Sequence, residues 1–205
     1  MISNLDILDE KLVDPNPIKQ FEQWFQSAVA ANLPLPEAMS LATVDSEGRP
    51  SARMVLLKRV DDEGFVFFTN YHSSKAKELE NNASAALVFF WPQLEKQVRV
   101  EGTVTKTSPE ESREYFASRP RGSQIGAWAS PQSQIISGRE VLEKRQAELE
   151  DLYRDREVDW PEHWGGFCLR PDRIEFWKGR SDRLHDRILY ERGGDGSWSI
   201  KRLAP

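Results

Sequence analysis

The segment Tyr115-Phe116-Ala117-Ser118-Arg119-Pro120-Arg121-Gly122-Ser123-Gln124 gathers the side-chain types that recognise phosphate. Arg offers a planar fork to phosphate oxygens, and hydroxyls and amides can complete such a site. A surface turn with a helix-terminal Arg is the plainer reading of the same residues. Other basic residues are clumped: Arg53 with Lys58, Lys75 with Lys77, and Arg180, Arg183 and Arg187. In a chain of formal net charge −5, such clumps suit small phosphorylated ligands or, equally, solvated surface. A general nucleic-acid binder would be basic overall, so that class is disfavoured.

Other chemistries lack their residues. There is no G-x-x-x-x-G-K-[ST] loop and no G-x-G-x-x-G, so phosphate is not held in the P-loop or Rossmann manner. His163 lies near Cys168, but no second cysteine exists to complete a usual structural zinc site. No G-x-S-x-G nucleophile elbow is present. The single cysteine excludes an internal disulfide and makes the cytoplasm the default compartment. The first residues have neither a basic region nor an apolar run, so no secretory signal is expected. No stretch approaches the roughly eighteen apolar residues of a membrane span.

The elements that must position these residues follow from periodicity and punctuation. Residues 1–15 are polar without clear period and read as a mobile, removable arm; residues 16–205 read as a single domain. Asn16 as N-cap and Pro17 at the first helical position open a helix carrying Ile18, Phe21, Phe25 and Ala28 at helical spacing. Strands are expected over Met39–Val44, Ser51–Val60, Gly64–Thr69, Ala85–Trp91 and Lys96–Lys106, with a short helix over Ser73–Asn81. Ser108-Pro109-Glu110-Glu111 is a capping box opening a helix to about Ser118. A further helix is expected over Arg139–Arg156, with Leu142, Leu149, Leu152 and Tyr153 on one face and Glu140–Lys144 and Glu150–Arg154 as ion pairs. Strands at Gly166–Leu169, Arg173–Lys178, Asp186–Glu191 and Ser197–Leu203 close the chain, the last two joined by a turn at Gly193–Gly196. Short strands in hairpin-sized steps with a few helices predict a mainly β protein, an antiparallel barrel with peripheral helices.

Several blocks resemble the pyridoxine/pyridoxamine 5′-phosphate oxidase family. They are Arg53-Met54-Val55-Leu56-Leu57-Lys58; Phe68-Thr69-Asn70 with Ser73-Ser74-Lys75-Ala76; Gln97-Val98-Arg99-Val100-Glu101-Gly102; Ser118-Arg119-Pro120 through Ser123-Gln124-Ile125-Gly126-Ala127-Trp128; Gln132-Ser133; and Ile174-Glu175-Phe176-Trp177-Lys178-Gly179. The most specific is the tail, Arg183-Leu184-His185-Asp186-Arg187, closing with Arg202-Leu203-Ala204-Pro205.

The resemblance implies an FMN-binding split barrel working as a homodimer, with each flavin in a groove between subunits. Arg53 and Lys75 would bind the FMN phosphate end, with Met54, Val55, Leu56, Leu57, Lys58 and Ser74 around it. Phe68 and Thr69 would line the cofactor, and Gln97, Gln132, Ser133, Trp177 and Arg187 would complete the site, some from the partner chain. Lys58, Tyr115, Arg119 and Ser123 would hold the substrate phosphate, and Arg183 and His185 would bracket the pyridine ring as the catalytic pair. The implied reaction is oxidation of pyridoxamine or pyridoxine 5′-phosphate to pyridoxal 5′-phosphate by hydride transfer to the flavin, with O2 reduced to H2O2. No metal is implied. The alternatives are a split-barrel flavin reductase or oxidase acting on another small molecule, and a non-catalytic pyridoxal phosphate-binding protein. Ser74 stands where the family commonly has Arg, and Phe68 where Tyr is common. Arg53 and Lys58 lie five positions apart, so a regular strand would aim them at opposite faces; a bulge or a groove shared between chains would reconcile them.

Overall fold

The structure, a computed structural model, describes residues 8–205. Helix α1 spans Pro17–Ala30. The Asn16 side chain accepts from the N–H groups of Ile18 and Lys19, which satisfies donors a helix start leaves unpaired. Its buried face, Ile18, Phe21, Trp24 and Ala28, lies over the main core. There Phe21 meets Phe65 and Phe89 at centroid distances of 4.9 and 4.8 Å, and Trp24 meets Phe176 at 5.2 Å.

The strands are β1 (Ala38–Val44), β2 (Pro50–Leu56), β3 (Arg59–Asp61), β4 (Gly64–Asn70), β5 (Ser84–Trp91), β6 (Lys96–Lys106), β7 (Trp164–Lys178), β8 (Asp186–Arg192) and β9 (Trp198–Arg202). They form one antiparallel sheet in the order β2-β1-β5-β6-β7-β4-β3, with β8 and β9 branching from β7. The first half of β7 pairs with β4 and the second half with β8, while β6 runs along its other edge. This fork opens the barrel: it is the split-barrel architecture expected. Alternation does the sorting on β6, where Val98, Val100 and Val104 point into the core.

Helix α2 (Ser74–Asn81) follows β4; α3 (Pro109–Ser118), α4 (Arg121–Ala129) and α5 (Arg139–Leu152) fill the β6–β7 connection. Ser108 caps α3 by accepting from the Glu111 N–H at 3.0 Å. Phe116, Ile125, Tyr153, Val158 and Trp164 make a second, smaller core under these helices.

Several expectations need correction. The strand expected over 51–60 breaks after Leu56, and the Lys58 N–H donates instead to the Val66 carbonyl on β4 at 2.8 Å. The two strands expected over 166–178 are one. Pro171, which donates no ladder bond, is accommodated by a register shift between Glu101 and Gly102 on β6. Helix α4 stands where a turn is expected; Gly122 and Gly126 and the absence of a capping side chain hide it. Helix α5 stops at Leu152 and buries none of its residues, and Leu152 is exposed. Its ion pairs are Arg139–Glu143 and Lys144–Glu148, and Arg154 pairs with Asp151 where Glu150 was the expected partner. Part of the arm expected over 1–15 lies outside the described residues, but from Leu8 on it is docked. Leu8 is in the core, and the Tyr190 hydroxyl donates to the Asp14 carbonyl at 2.7 Å.

Candidate active site

A cleft of about 550 Å³ opens beside the gap between β2 and β4. The break after β2 brings Arg53 and Lys58 to this one cleft, which removes the conflict of strand parity. Phe68 from β4, Tyr115 from α3 and Trp164 from the start of β7 line it as near-parallel rings, Phe68 lying 4.1 Å from Tyr115 and 5.4 Å from Trp164. Arg119, just past the end of α3, lays its guanidinium over the Trp164 ring at 4.4 Å. Its Nη1 is buried and has no hydrogen-bond partner, the one such side-chain atom among the described residues. Burial pushes the Arg119 guanidinium below its usual value. An unpaired buried cation is costly, so the site is built to be completed by an anion. Ser123, in the first turn of α4, lines the same cleft.

A second cluster of cations forms the other end of the cleft. Lys75 Nζ donates to Gln132 Oε1 at 2.9 Å and to Thr69 Oγ1 at 3.2 Å. Burial lowers its pKa, with the nearby Arg53 charge acting in the same direction and Glu78 opposing it. Arg53 is clamped by Glu78 at 2.9 Å, by the Leu41 carbonyl at 3.2 Å, and by Thr43 and Ser51. Burial alone would raise the Glu78 carboxyl, but hydrogen bonds from Thr43, Ser51 and Arg53 outweigh it and hold it below its usual value.

The remaining expected residues lie elsewhere. Gln97, Trp177 and Arg187 are direct cross-strand neighbours on β6, β7 and β8, so their side chains share one sheet face. Arg187 is held by Glu175 at 2.8 and 3.1 Å and by the Ala204 carbonyl at 2.9 Å; the Glu175 hydrogen bond raises its pKa further. The His185 ring packs 4.7 Å from Trp177, and its Nδ1 accepts the Arg180 N–H at 3.1 Å. A neutral His185 therefore carries its proton on Nε2. Arg183 is exposed in the turn Ser181–Arg183, with φ +61°. Gly166, which pairs with Phe68 at the cleft, and Trp177 stand near opposite ends of β7, about 35 Å apart along the strand path at the usual rise. The two groups of residues are thus separated within one chain.

Three further expected residues, Leu57, Ser74 and Ser133, do not line the cleft either. Leu57 is buried in the core, its N–H given to the Glu37 carbonyl at 2.9 Å. Ser74 is exposed on α2, and Ser133 is exposed with φ +68° beside Gln132. Conversely, Trp164, Glu78 and Glu175 were missed as site residues. Trp164 looks like any strand aromatic in sequence, and a carboxylate that braces an Arg has no local signature until the fold pairs them.

A wider open groove of about 1410 Å³ includes Arg59, Glu111 and Cys168. Its Arg59 is paired with Glu111 at 3.0 Å, and burial raises the Cys168 thiol, so the thiol is not an activated nucleophile. Among the described residues there is no group of three or more His, Cys, Asp or Glu placed to hold a metal, and no helix is long and apolar enough to cross a membrane.

The family model described as pyridoxamine 5′-phosphate oxidase matches residues 25–153, and one described as pyridoxine 5′-phosphate oxidase C-terminal dimerisation region matches 164–205. This chain belongs to the pyridoxamine 5′-phosphate oxidase family. It is 57% identical over 204 residues to a pyridoxine/pyridoxamine 5′-phosphate oxidase of Paraburkholderia phymatum, covering 100% of this chain and 94% of that one. It is 57% identical over 198 residues to the protein of that name from a Cyanothece species, covering 97% and 92%. Among family structures, that of PhzG from Burkholderia lata 383, solved in complex with tetrahydrophenazine-1-carboxylic acid, superposes with a TM-score of 0.92 at 31% identity over 98% of both chains. A pyridoxamine 5′-phosphate oxidase-related, FMN-binding protein from Nostoc punctiforme shares the fold, with a TM-score of 0.74 at 17% identity over 93% and 98%.

Proposed function

We propose that this chain is an FMN-dependent oxidase that converts pyridoxamine 5′-phosphate and pyridoxine 5′-phosphate to pyridoxal 5′-phosphate. The observation that carries this reading is the buried, unpartnered Nη1 of Arg119 in a cleft that also holds Lys58, Tyr115 and Ser123. These are phosphate-binding groups in search of an anion, beside aromatic rings suited to a flat heterocycle. The second cation cluster, Arg53 and Lys75, fits a second phosphate, as a substrate and a flavin mononucleotide together require. The residues present therefore fit FMN: Arg53 and Lys75 would hold its phosphate, Thr69 and Gln132 would line it, and Gln97, Trp177 and Arg187 would reach it from a second copy of the chain.

FMN, when bound, supplies the two-electron acceptor for the substrate C4′ carbon and passes the electrons to O2, giving H2O2. The chain supplies orientation and charge. Arg119, Lys58, Tyr115 and Ser123 anchor the phosphate and so fix the distance of the reacting carbon. His185, with Nδ1 occupied by the Arg180 N–H, offers Nε2–H as a donor to a substrate oxygen. Arg183 supplies a cation where negative charge develops. The half-sites at opposite ends of β7 support a homodimer with shared sites. The lone cysteine suits the cytoplasm.

The test is direct. Purified protein with FMN and pyridoxamine 5′-phosphate in air is expected to produce aldehyde and peroxide in equal amounts, while pyridoxamine without its phosphate is a poor substrate. Binding of pyridoxal 5′-phosphate without turnover of either phosphorylated substrate would leave only the carrier reading. Oxidation of unphosphorylated acids in preference would assign the cleft to another substrate.

A further inference from the structure

The turn carrying Arg183 and His185 is unusual enough to need external support. Asp182 and Arg183 both occupy the left-handed region, at φ +58° and +61°, which side chains with a Cβ rarely adopt. Asp186, the next residue after this turn and the first of β8, accepts Arg180 Nε on one carboxylate oxygen at 2.7 Å and Arg202 Nη1 on the other at 2.9 Å. Arg202, at the end of β9, donates Nε and Nη2 to Glu10 at 2.9 and 2.6 Å, and Nη2 also to the Leu8 carbonyl at 3.1 Å. Leu8 is fixed in the core. A continuous polar chain therefore runs from the docked N-terminal segment through Arg202, Asp186 and Arg180 to the ring nitrogen of His185. Neither Glu10, Arg202 nor Asp186 lines the cleft, and the proposed chemistry uses none of them.

We infer that Glu10, Arg202 and Asp186 are positioning residues for the substrate-side turn: they set the direction in which His185 presents Nε2–H and Arg183 its guanidinium. The inference rests on the proposed function for the claim that this turn faces substrate. Asp186 is the centre of the relay. Its side chain is 16% exposed, against 39% for Glu10, so its ion pairs are less screened and its removal has the larger effect. Because Asp186 also bonds the side chain of the residue whose N–H holds His185 Nδ1, loosening it releases the imidazole tautomer as well as the turn.

The experiment uses full-length, flavin-loaded protein with 15N-labelled histidine, the chain having 3 His, and a His185→Asn variant to assign the resonances. In Asp186→Asn the His185 nitrogen shifts are expected to move from a fixed Nε2–H tautomer toward an average of the two. Its kcat for pyridoxamine 5′-phosphate should fall about tenfold or more, the loss of one charge-assisted contact, with KM and FMN affinity within about threefold. Glu10→Gln is expected to do the same more weakly, about two- to fivefold, and Arg202→Lys to fall between wild type and Asp186→Asn. Wild-type shifts and wild-type kcat in both Asp186→Asn and Glu10→Gln overturn the relay, and so do altered shifts with unchanged kcat. If Asp186→Asn does not fold, Glu10→Gln and Arg202→Lys decide by the same criteria. Failure of wild-type protein to oxidise either substrate sinks the functional proposal instead, and the nitrogen shifts still show whether the relay holds the turn.

Discussion

At the scale of single residues, Arg119 and Glu78 show how charge is stored for a ligand. Arg119 keeps a guanidinium nitrogen buried and unpaired over Trp164. Arg119→Ala is expected to raise KM for pyridoxamine 5′-phosphate by about 1.5–3 kcal/mol equivalent, roughly 10- to 150-fold, with kcat changed little because phosphate binding serves ground and transition states alike. Steady-state kinetics on the phosphorylated and unphosphorylated amines checks this: equal losses on both would remove Arg119 from the phosphate site. Glu78 is the counterpart on the protein's own side, a carboxylate held ionised under Arg53. Its folded-state pKa is depressed, so the stability it contributes is present above the unfolded value near 4.5. That contribution is lost as pH falls through the folded value. Glu78→Gln is therefore expected to cost about 1.5–3 kcal/mol at neutral pH and to flatten the stability profile below pH 4.5, as measured by denaturant titration across pH. An acid limb as steep as wild type would mean other carboxylates carry it. Arg119 and Arg53 were legible in the sequence because Arg within a hydroxyl-rich or family-like block stands out. Glu78 was not, because its meaning depends on β1, β2 and α2 meeting around Thr43, Ser51 and Arg53.

At the scale of elements, the informative features are where strands stop and where they refuse to stop. Periodicity located most of the strands, since alternation on β1 and β6 and the apolar run of β4 encode burial directly. It misjudged β2, whose break after Leu56 brings Lys58 to the cleft, and β7, expected as two strands and found as one. Neither is local information: the first depends on a hydrogen bond from Lys58 to Val66 on β4, the second on the register shift in β6. Gly102 makes that shift possible, because a Cβ there would drive into the Arg170 carbonyl and crowd Pro171. Both contacts are backbone and cannot swing aside. Gly102→Ala is expected to destabilise the protein by about 2–3 kcal/mol, read as a lowered urea midpoint at unchanged slope. A loss below about 0.5 kcal/mol, the range of ordinary surface substitutions, would show that β6 and β7 can re-register without penalty. The cleft and the β8 half-site are both built on β7, so a surviving Gly102→Ala protein is also expected to bind flavin less tightly.

At the scale of the whole molecule, the arrangement forces a choice about how one site is assembled. The cleft lined by Phe68, Arg119 and Trp164 lies where β7 pairs with β4, while Trp177 and Arg187 lie where β7 pairs with β8. The two sets stand near opposite ends of β7, and the match to a C-terminal dimerisation region covers Trp177 and Arg187. A site shared across a two-fold axis brings the cleft of one subunit to the β8 face of the other, and does so twice. This yields a complementation experiment. Arg119→Ala disables the cleft and Arg187→Ala disables the β8 face, so each homodimer has two defective sites. After unfolding and refolding an equal mixture, half of the dimers are heterodimers. In each of these, one site collects both substitutions and the other collects neither. At a substrate concentration near the wild-type KM and far below that of Arg119→Ala, activity is therefore expected to recover to roughly one quarter of wild type, because the sites active there are native in every residue. If each site were built within a single chain, every site in the mixture would carry one substitution, and mixing would restore nothing above the sum of the two homodimers. That outcome, with heterodimers demonstrated by differently tagged chains, would overturn the shared-site arrangement.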